Sequence, residues 1–309
     1  MNTIKIVYIT GFGRSGSTLL DILLASAPSA FGCGELNALL REGIFGGDPC
    51  ACGEPVTNCP LWQDVMKEWS LSRDAASLNR YSDLVDRVDS VRLSNRKVAI
   101  ADQEFFQTQT ALLYQSIARV TGATVLIESS KSPNRLRHLL GVPGVSVRAI
   151  HLIRDVASVA RSMARSWQAA PSAGISHDLS GKSVLRTAVA WRIHNVMADR
   201  VCRSLNQSAM RVHMEQLLTT PNSVLRSIGQ HVGLDLSHAC HATEVGEPIL
   251  IEHTVAGNRL RMQKSLIVRP SEAGVDCGFR SRMLRHLALS GLGRDTRNRL
   301  QFSANEFVG

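Results

Sequence analysis

The sequence predicts an α/β protein: a P-loop-containing, three-layer α/β/α architecture with a central parallel sheet and helical insertions. Short apolar, β-branched runs alternate with longer helical patterns, which is the order of a doubly wound sheet. A glycine-rich turn joins the first run to the first helix, the local arrangement of a phosphate loop. The 309 residues, 44% of them hydrophobic, suffice for a buried core without staples.

The candidate strands are Ile4 to Thr10, Thr124 to Glu128, Val147 to Ile153 and Met210 to Met214. Their near-continuous apolarity fits strands covered on both faces. Helical patterns run from Thr18 to Ala27, Leu61 to Trp69, around Tyr81 to Leu93, Phe105 to Thr121, Val156 to Trp167 and Ser183 to Leu205. No internal repeat or low-complexity segment interrupts them, and residues 1–309 read as a single domain. Two stretches stand out as insertions: the Gly/Cys/Pro-rich 43–60 and the Ser/Gly/His-containing 169–182, which is expected to act as an acceptor-side lid.

Thirty-five Lys and Arg against 26 Asp and Glu give a formal charge of +9, which favours anionic partners. The arginines are scattered or spaced along helical stretches such as Arg280, Arg282 and Arg285, with no block of like charge, so nucleic acid is not the expected partner. No apolar run of about 18 residues occurs, which argues against a transmembrane segment. The start, Ile4 to Ile9 directly before a glycine turn, lacks the regions of a secretory signal. An odd count of seven cysteines without such a signal suits a reducing cytoplasm, the expected location.

After the first strand comes Gly11-Phe12-Gly13-Arg14-Ser15-Gly16-Ser17-Thr18, then the apolar helix from Leu19. A strand, a glycine turn and a helix N-terminus aim backbone N–H groups and a helix dipole at a phosphate. Gly11 and Gly16 have the spacing of the nucleoside-triphosphate loop, yet Ser17 stands where that loop needs Lys. The cation is Arg14, inside the turn. Gly13, Arg14, Ser15, Gly16, Ser17 and Thr18 are therefore the candidate phosphate ligands. The segment Gly-Phe-Gly-Arg-Ser-Gly-Ser-Thr-Leu-Leu resembles the 5′-phosphosulfate loop of sulfotransferases that use 3′-phosphoadenosine 5′-phosphosulfate (PAPS), especially the protein-tyrosine and bacterial branches.

A second anchor follows the strand Val147 to Ile153. Arg154 at the strand end and Ser162, two turns into the next helix, can converge on one anion. Alternatively, Arg154 pairs with Asp155 or another acid. Beside the loop, the pair resembles the family's 3′-phosphate motif. Ser129-Ser130-Lys131-Ser132-Pro133 resembles the Ser-Lys-x-Pro segment, whose Lys faces the transferred group, and Ser129 and Ser130 could join that clamp. Met214 to Pro221 with Val232-Gly233-Leu234 is similar to a further family stretch. His253 to Arg261 resembles a bacterial His-x-x-x-Gly-Asn-x-x-Arg element near the 3′-phosphate, which implies Gly257, Asn258 and Arg261 as further ligands. The cytosolic small-molecule branch carries an Arg-Lys-Gly element instead, so its typical acceptors are not implied.

The resemblance implies PAPS as donor, no metal requirement, and Arg14 and Lys131 as an electrostatic clamp on the leaving group. Glu35 is the candidate base; in the protein-tyrosine branch the base also lies 21 residues beyond the loop Arg. Glu35 could instead cap a helix beginning near Leu36. His151 and His253 are alternative bases, His151 within an apolar strand being the better core residue. Trp191 and Asn195 share a helix face and either meet the adenine or pack, with packing favoured.

Cys50, Cys52 and Cys59 form a C-x-C-x6-C cluster open to packing or a disulfide, to metal, or to redox control; zinc would need a fourth ligand. No metal-ligating residue is assigned. A kinase-like P-loop enzyme and a non-catalytic polyanion-binding protein are the competing functions. The acceptor, a glycan, lipid headgroup, peptide or small molecule, is left to the variable loops, including the region around Arg92 to Gln109.

Overall fold

The computed structural model describes residues 3–69, 75–90, 98–166, 168, 170, 178, 180–271 and 276–302. Five parallel strands form one sheet in the order β2-β3-β1-β4-β5. They are β1 (Ile4–Thr10), β2 (Ala30–Gly34), β3 (Val125–Lys131), β4 (Val145–Ile153) and β5 (Ala209–His213). The alternation of the central strand explains the layers. Ile6 and Tyr8 enter one apolar core, Val7 and Ile9 the other, and all four are fully buried.

On the first face pack α2 (Pro60–Glu68), α3 (Ala75–Asp89), α4 (Ile100–Thr121) and α5 (Pro133–Leu139). The second face carries α1 (Ser17–Ala25), α8 (Met214–Thr219), α9 (Pro221–Val232) and α10 (Ser237–Val245). A third cluster joins α6 (Val156–Met163) and α7 (Val184–Ser204) to α11 (Phe279–Leu289) and α12 (Arg294–Leu300). Two short strands, β6 (Pro248–Leu250) and β7 (Ser265–Ile267), form an antiparallel pair around the segment that returns to the sheet edge. The architecture is the α/β one expected, with a P-loop-like turn after β1.

Several boundaries differ from the expectation. Residues 30–34 form an edge strand, not a loop; Gly32 and Gly34 weaken the local signal, and pairing with β3 supplies what propensity lacks. The third strand continues through Lys131, because Ser129 and Ser130 are buried in the ladder despite their polarity. The helix after β4 ends at Met163, and Trp167 lies outside the described residues, as does Leu93. So do residues 169, 171–177 and 179 of the expected lid and residues 92–97 of the second acceptor region.

Beneath the sheet's C-terminal edge lies a buried charge cluster. The Glu128 and Arg135 side chains are both 0% exposed and paired, and Tyr114 from α4 and Ser130 (2.6 Å) also donate to Glu128. Burial works against charge on Arg135, but Glu128, with Tyr114 and Asp89, outweighs it and raises the guanidinium pKa. Two charges taken from water hold only while both are present. We therefore expect Glu128→Gln to cost about 3–5 kcal/mol by stranding Arg135. The measurement is a lowered urea midpoint at unchanged m, with much of the loss recovered in Glu128→Gln/Arg135→Met.

Candidate active site

Open α/β sheets bind ligands beyond the carboxyl ends of their strands, where the strand order reverses. Here β1 sits between β3 and β4, and the segments leaving all three meet a fourth, residues 254–258, at that edge. The result is a cleft of about 400 Å³.

The turn after β1 ends on Gly16, whose φ of 95° starts α1 from a left-handed residue that a β-carbon would disfavour. Arg14 also has positive φ (66°), a strained state for a side-chain-bearing residue. Its carbonyl accepts a hydrogen bond from Arg154 Nη1 at 3.0 Å, which ties the first anchor to the second. Gly13, Arg14, Gly16, Ser17 and Thr18 line the cleft, while Ser15 is buried beneath them and its Oγ meets no partner among the described residues.

Lys131 closes β3 in a left-handed conformation, φ 70°. Its carbonyl accepts from the Gly11 N–H at 3.2 Å and from Thr10 Oγ1 at 2.8 Å, so the backbone turn is held from β1. Its ammonium pairs with Glu35 inside the cleft. Glu35 follows β2 and precedes a single 3₁₀ turn, Leu36–Ala38, but its side chain makes no capping hydrogen bond there. The carboxylate is committed to Lys131 rather than to the turn.

Glu35 is fixed by its backbone. Its N–H donates to Val255 O at 3.0 Å, and Val255 N–H donates to Cys33 O at 3.2 Å, so β2 and the 254–258 segment run side by side. That segment then crosses the phosphate loop. Asn258 N–H donates to Thr18 Oγ1 at 3.1 Å, and a β-carbon on Gly257 would stand 3.0 Å from both Glu35 Oε1 and Thr18 Oγ1. A side chain there would crowd both groups and be strained by the residue's φ of 92°, which favours glycine. Gly257 and Asn258 line the cleft; Arg261 is 1% exposed, lies outside the lining and donates to Pro49 O at 3.1 Å.

Arg154 faces the cleft with Ser162 on the next helix. Asp155 does not pair with it: that carboxylate caps α6 through the Ser158 N–H and binds Arg285, with one contact at 3.1 Å. No carboxylate among the described residues forms an ion pair with Arg154. Trp191 is buried and donates to Arg154 O at 3.0 Å, and Asn195 is buried against His151 Nε2 at 3.0 Å, so both pack. Burial pushes the His151 pKa down to about 4, leaving it neutral in the core. His253 lies among the cysteines, outside the cleft lining. Ser129 and Ser130 are likewise buried scaffold, and Ser130 accepts from Asn37 N–H at 3.2 Å while donating to Glu128.

Among the described residues, the charged groups lining the cleft are Arg14, Lys131 and Arg154 against Glu35 alone. Burial, then Arg259, lowers the Arg14 pKa, so an anion entering here relieves a real electrostatic cost. Leu19, Met163, Met214 and Leu260 add an apolar wall that sequence inspection does not single out, since each sits in an ordinary helical or loop pattern. A cationic cleft with backbone donors, an apolar wall and one lysine-held carboxylate suits transfer of an anionic group from a nucleotide.

That arrangement sets anion-binding groups and one carboxylate at the sheet edge of a P-loop-like fold. The chain belongs to the sulfotransferase family, whose family model matches residues 7–238. Membership supports a sulfotransfer function and makes the protein a transferase. Similar solved structures include the sulfotransferase domain from the Synechococcus PCC 7002 olefin synthase (20% identity over 84% of this chain and 80% of that one, TM-score 0.45). Others are the sulfotransferase domain from the curacin biosynthetic pathway (16%, 93% and 98%, TM-score 0.49) and sulfotransferase STF9 from Mycobacterium avium (14%, 78% and 67%, TM-score 0.46). No curated protein matches the sequence. No helix among the described residues is long and apolar enough to cross a membrane.

Asp21 on α1 carries a pH signature. It is fully buried and accepts the Gly34 N–H at 3.2 Å, holding the end of β2 beside Glu35. Burial raises its pKa from 3.8 to about 7. The folded protein therefore keeps a proton that the unfolded chain releases, so this group's contribution to stability falls as pH rises from about 4 to about 7. Asp21→Asn lacks the titration. Its stability relative to wild type, from urea midpoints across that window, is expected to rise by up to about 1.4 kcal/mol per pH unit and then level off.

Proposed function

We propose that this protein transfers a sulfuryl group from PAPS to a hydroxyl or amine of an acceptor and releases 3′,5′-ADP. The observation that carries the proposal is the meeting of both anion-binding sets, the Arg14 loop and Arg154 with Ser162, in one cleft with the Lys131–Glu35 pair. A donor with phosphate groups on both the 3′ and 5′ positions uses both sets; a nucleotide with one needs only the loop.

Sulfuryl transfer calls for in-line positioning and stabilisation of the charge that grows on the leaving phosphate oxygen. Arg14, Lys131 and the loop N–H groups supply fixed positive potential there without reorganising. Glu35 takes the acceptor proton, and its contact with Lys131 puts base and clamp within reach of one another. Sulfate carries less charge than a terminal phosphate, so these side chains are assigned the transfer without a divalent ion. Gly13, Ser15, Gly16, Ser17 and Thr18 form the 5′ cradle, with Gly257 and Asn258 closing over it. Arg261, buried behind that segment, supports it from below. The acceptor class is sought by transfer of labelled sulfate from PAPS to glycan, lipid and peptide panels.

Two substitutions test the assignment. Arg154→Ala is expected to weaken 3′,5′-ADP binding by about 1.5–3 kcal/mol in calorimetry. AMP binding should change far less, and AMP also reports any loosening of the Arg14 loop; equal losses would remove Arg154 from the 3′ site. Glu35→Gln keeps size and one acceptor oxygen but cannot take a proton. It should retain PAPS affinity while turnover falls roughly 10²–10⁴-fold. Near-normal turnover with a lower Tm would instead make Glu35 a structural partner of Lys131.

A further inference from the structure

The 43–60 insertion folds back on the segment that closes the cleft. Cys50 and Cys52 lie on a tight turn fixed by Cys50 N–H to Glu54 O (2.8 Å) and Gly53 N–H to Cys50 O (2.9 Å). Cys59 occupies the position just before Pro60 at the start of α2. Across from them comes His253, whose Nδ1 lies 3.2 Å from Cys59 Sγ and 3.8 Å from Cys50 Sγ. The four ligand atoms of Cys50, Cys52, Cys59 and His253 all lie within 4.8 Å of one another.

We propose that these four residues form a structural zinc site that pins the 43–60 insertion to the nucleotide-closing segment. Three thiolates and one imidazole are a recognised zinc donor set. Zn–S bonds of about 2.3 Å and a Zn–N bond of about 2.0 Å make a tetrahedron with edges of about 3.5–3.8 Å, and the distances present need only small adjustment to meet it. Binding breaks the three S–H bonds, releases those protons to solvent, forms three Zn–S bonds and one Zn–N bond, and needs no oxidant. Four protein ligands close the coordination sphere, which makes the site structural rather than hydrolytic. A disulfide would use two sulfurs and leave the third beside His253, and none of Cys50, Cys52 and Cys59 is in a disulfide.

The surroundings support the ligands. Trp62 Nε1 donates to the His253 carbonyl at 2.8 Å, Ala51 N–H to Thr254 O at 3.1 Å, and buried Arg261 to Pro49 O, setting a cation beside a cluster whose net charge with zinc is negative. One residue beyond Thr254, Val255 joins Glu35, and Gly257 and Asn258 cover Thr18. The metal thus sits at the far end of a strut whose near end closes the cleft. It takes no part in transfer, so the site stands or falls independently of the proposed donor.

The test is metal analysis of the full chain purified under reducing conditions, with replacement by cobalt(II). About one zinc per chain is expected, and the cobalt form should show the intense visible bands and sulfur-to-metal charge transfer of tetrahedral thiolate ligation. Cys52→Ser, at the exposed ligand, and His253→Ala should each lower zinc affinity by more than the 10–100-fold, roughly, that a lost supporting partner costs. Cys240→Ser and Cys277→Ser should retain it. If a ligand variant does not fold, the wild-type cobalt spectrum decides. A wild-type chain that takes up neither metal overturns the proposal. So does a disulfide among the three cysteines, or zinc kept at full affinity by both ligand variants.

Discussion

The carbonyl of Lys131 accepts two hydrogen bonds from β1, through Gly11 N–H and Thr10 Oγ1, and the geometry of the cleft depends on that junction. The register of β1 against β3 shifts between Tyr8 and Thr10, so the strand end departs from regular pairing where the junction forms. A lysine would not adopt φ 70° in isolation. Held there, the residue turns its side chain out of the ladder and toward Glu35. Parallel pairing, a strained backbone and a chemically poised ion pair are three levels of one constraint.

Carboxylates elsewhere are arranged so that the cleft stays cationic. Asp155 is consumed by Arg285 and by the start of α6, which leaves Arg154 without a carboxylate ion-pair partner among the described residues. Glu128 is consumed by Arg135, Tyr114 and Ser130, one layer below the cleft. Asp21 is held protonated by burial up to about pH 7, so it adds little negative field beneath Glu35 at lower pH. Glu35 is thus the acid left to face the three cations.

The layered fold was legible because its signals are local: apolar strands alternate with amphipathic helices, and a glycine turn precedes α1. The Arg14 loop and the Arg154–Ser162 pair were legible for the same reason, each being a short pattern on one strand–turn–helix unit. Two things were not. The strand at 30–34 is carried by its pairing with β3 against its own glycines, and the ladder at Ser130 is carried by its bond to Glu128, so propensity misleads in both. The fourth partner of the cysteines is equally invisible locally, since His253 is 194 residues from Cys59. Glu35 illustrates the middle case: its position before a helical turn suggests a cap, and only the tertiary approach of Lys131 gives its carboxylate another use.

Residues 253–261 join what the rest of the chain keeps apart. Their first residue touches the cysteine turn, Val255 extends the edge of the sheet beside β2, Gly257 and Asn258 lie on the phosphate loop, and Arg261 returns to Pro49. Apart from buried Val255 and a short 3₁₀ turn at Arg259–Met262, the segment has no long strand or α-helix to stiffen it, so its conformation is set by its contacts at both ends. One end is anchored by Thr18 and Arg261, the other by Trp62 and the cysteine cluster. On the function proposed above, a loop fixed at both ends has little conformational freedom left to lose when the donor binds against Gly257 and Asn258. On that proposal, the insertion at 43–60, distant from those residues in sequence, would contribute through preorganisation rather than contact.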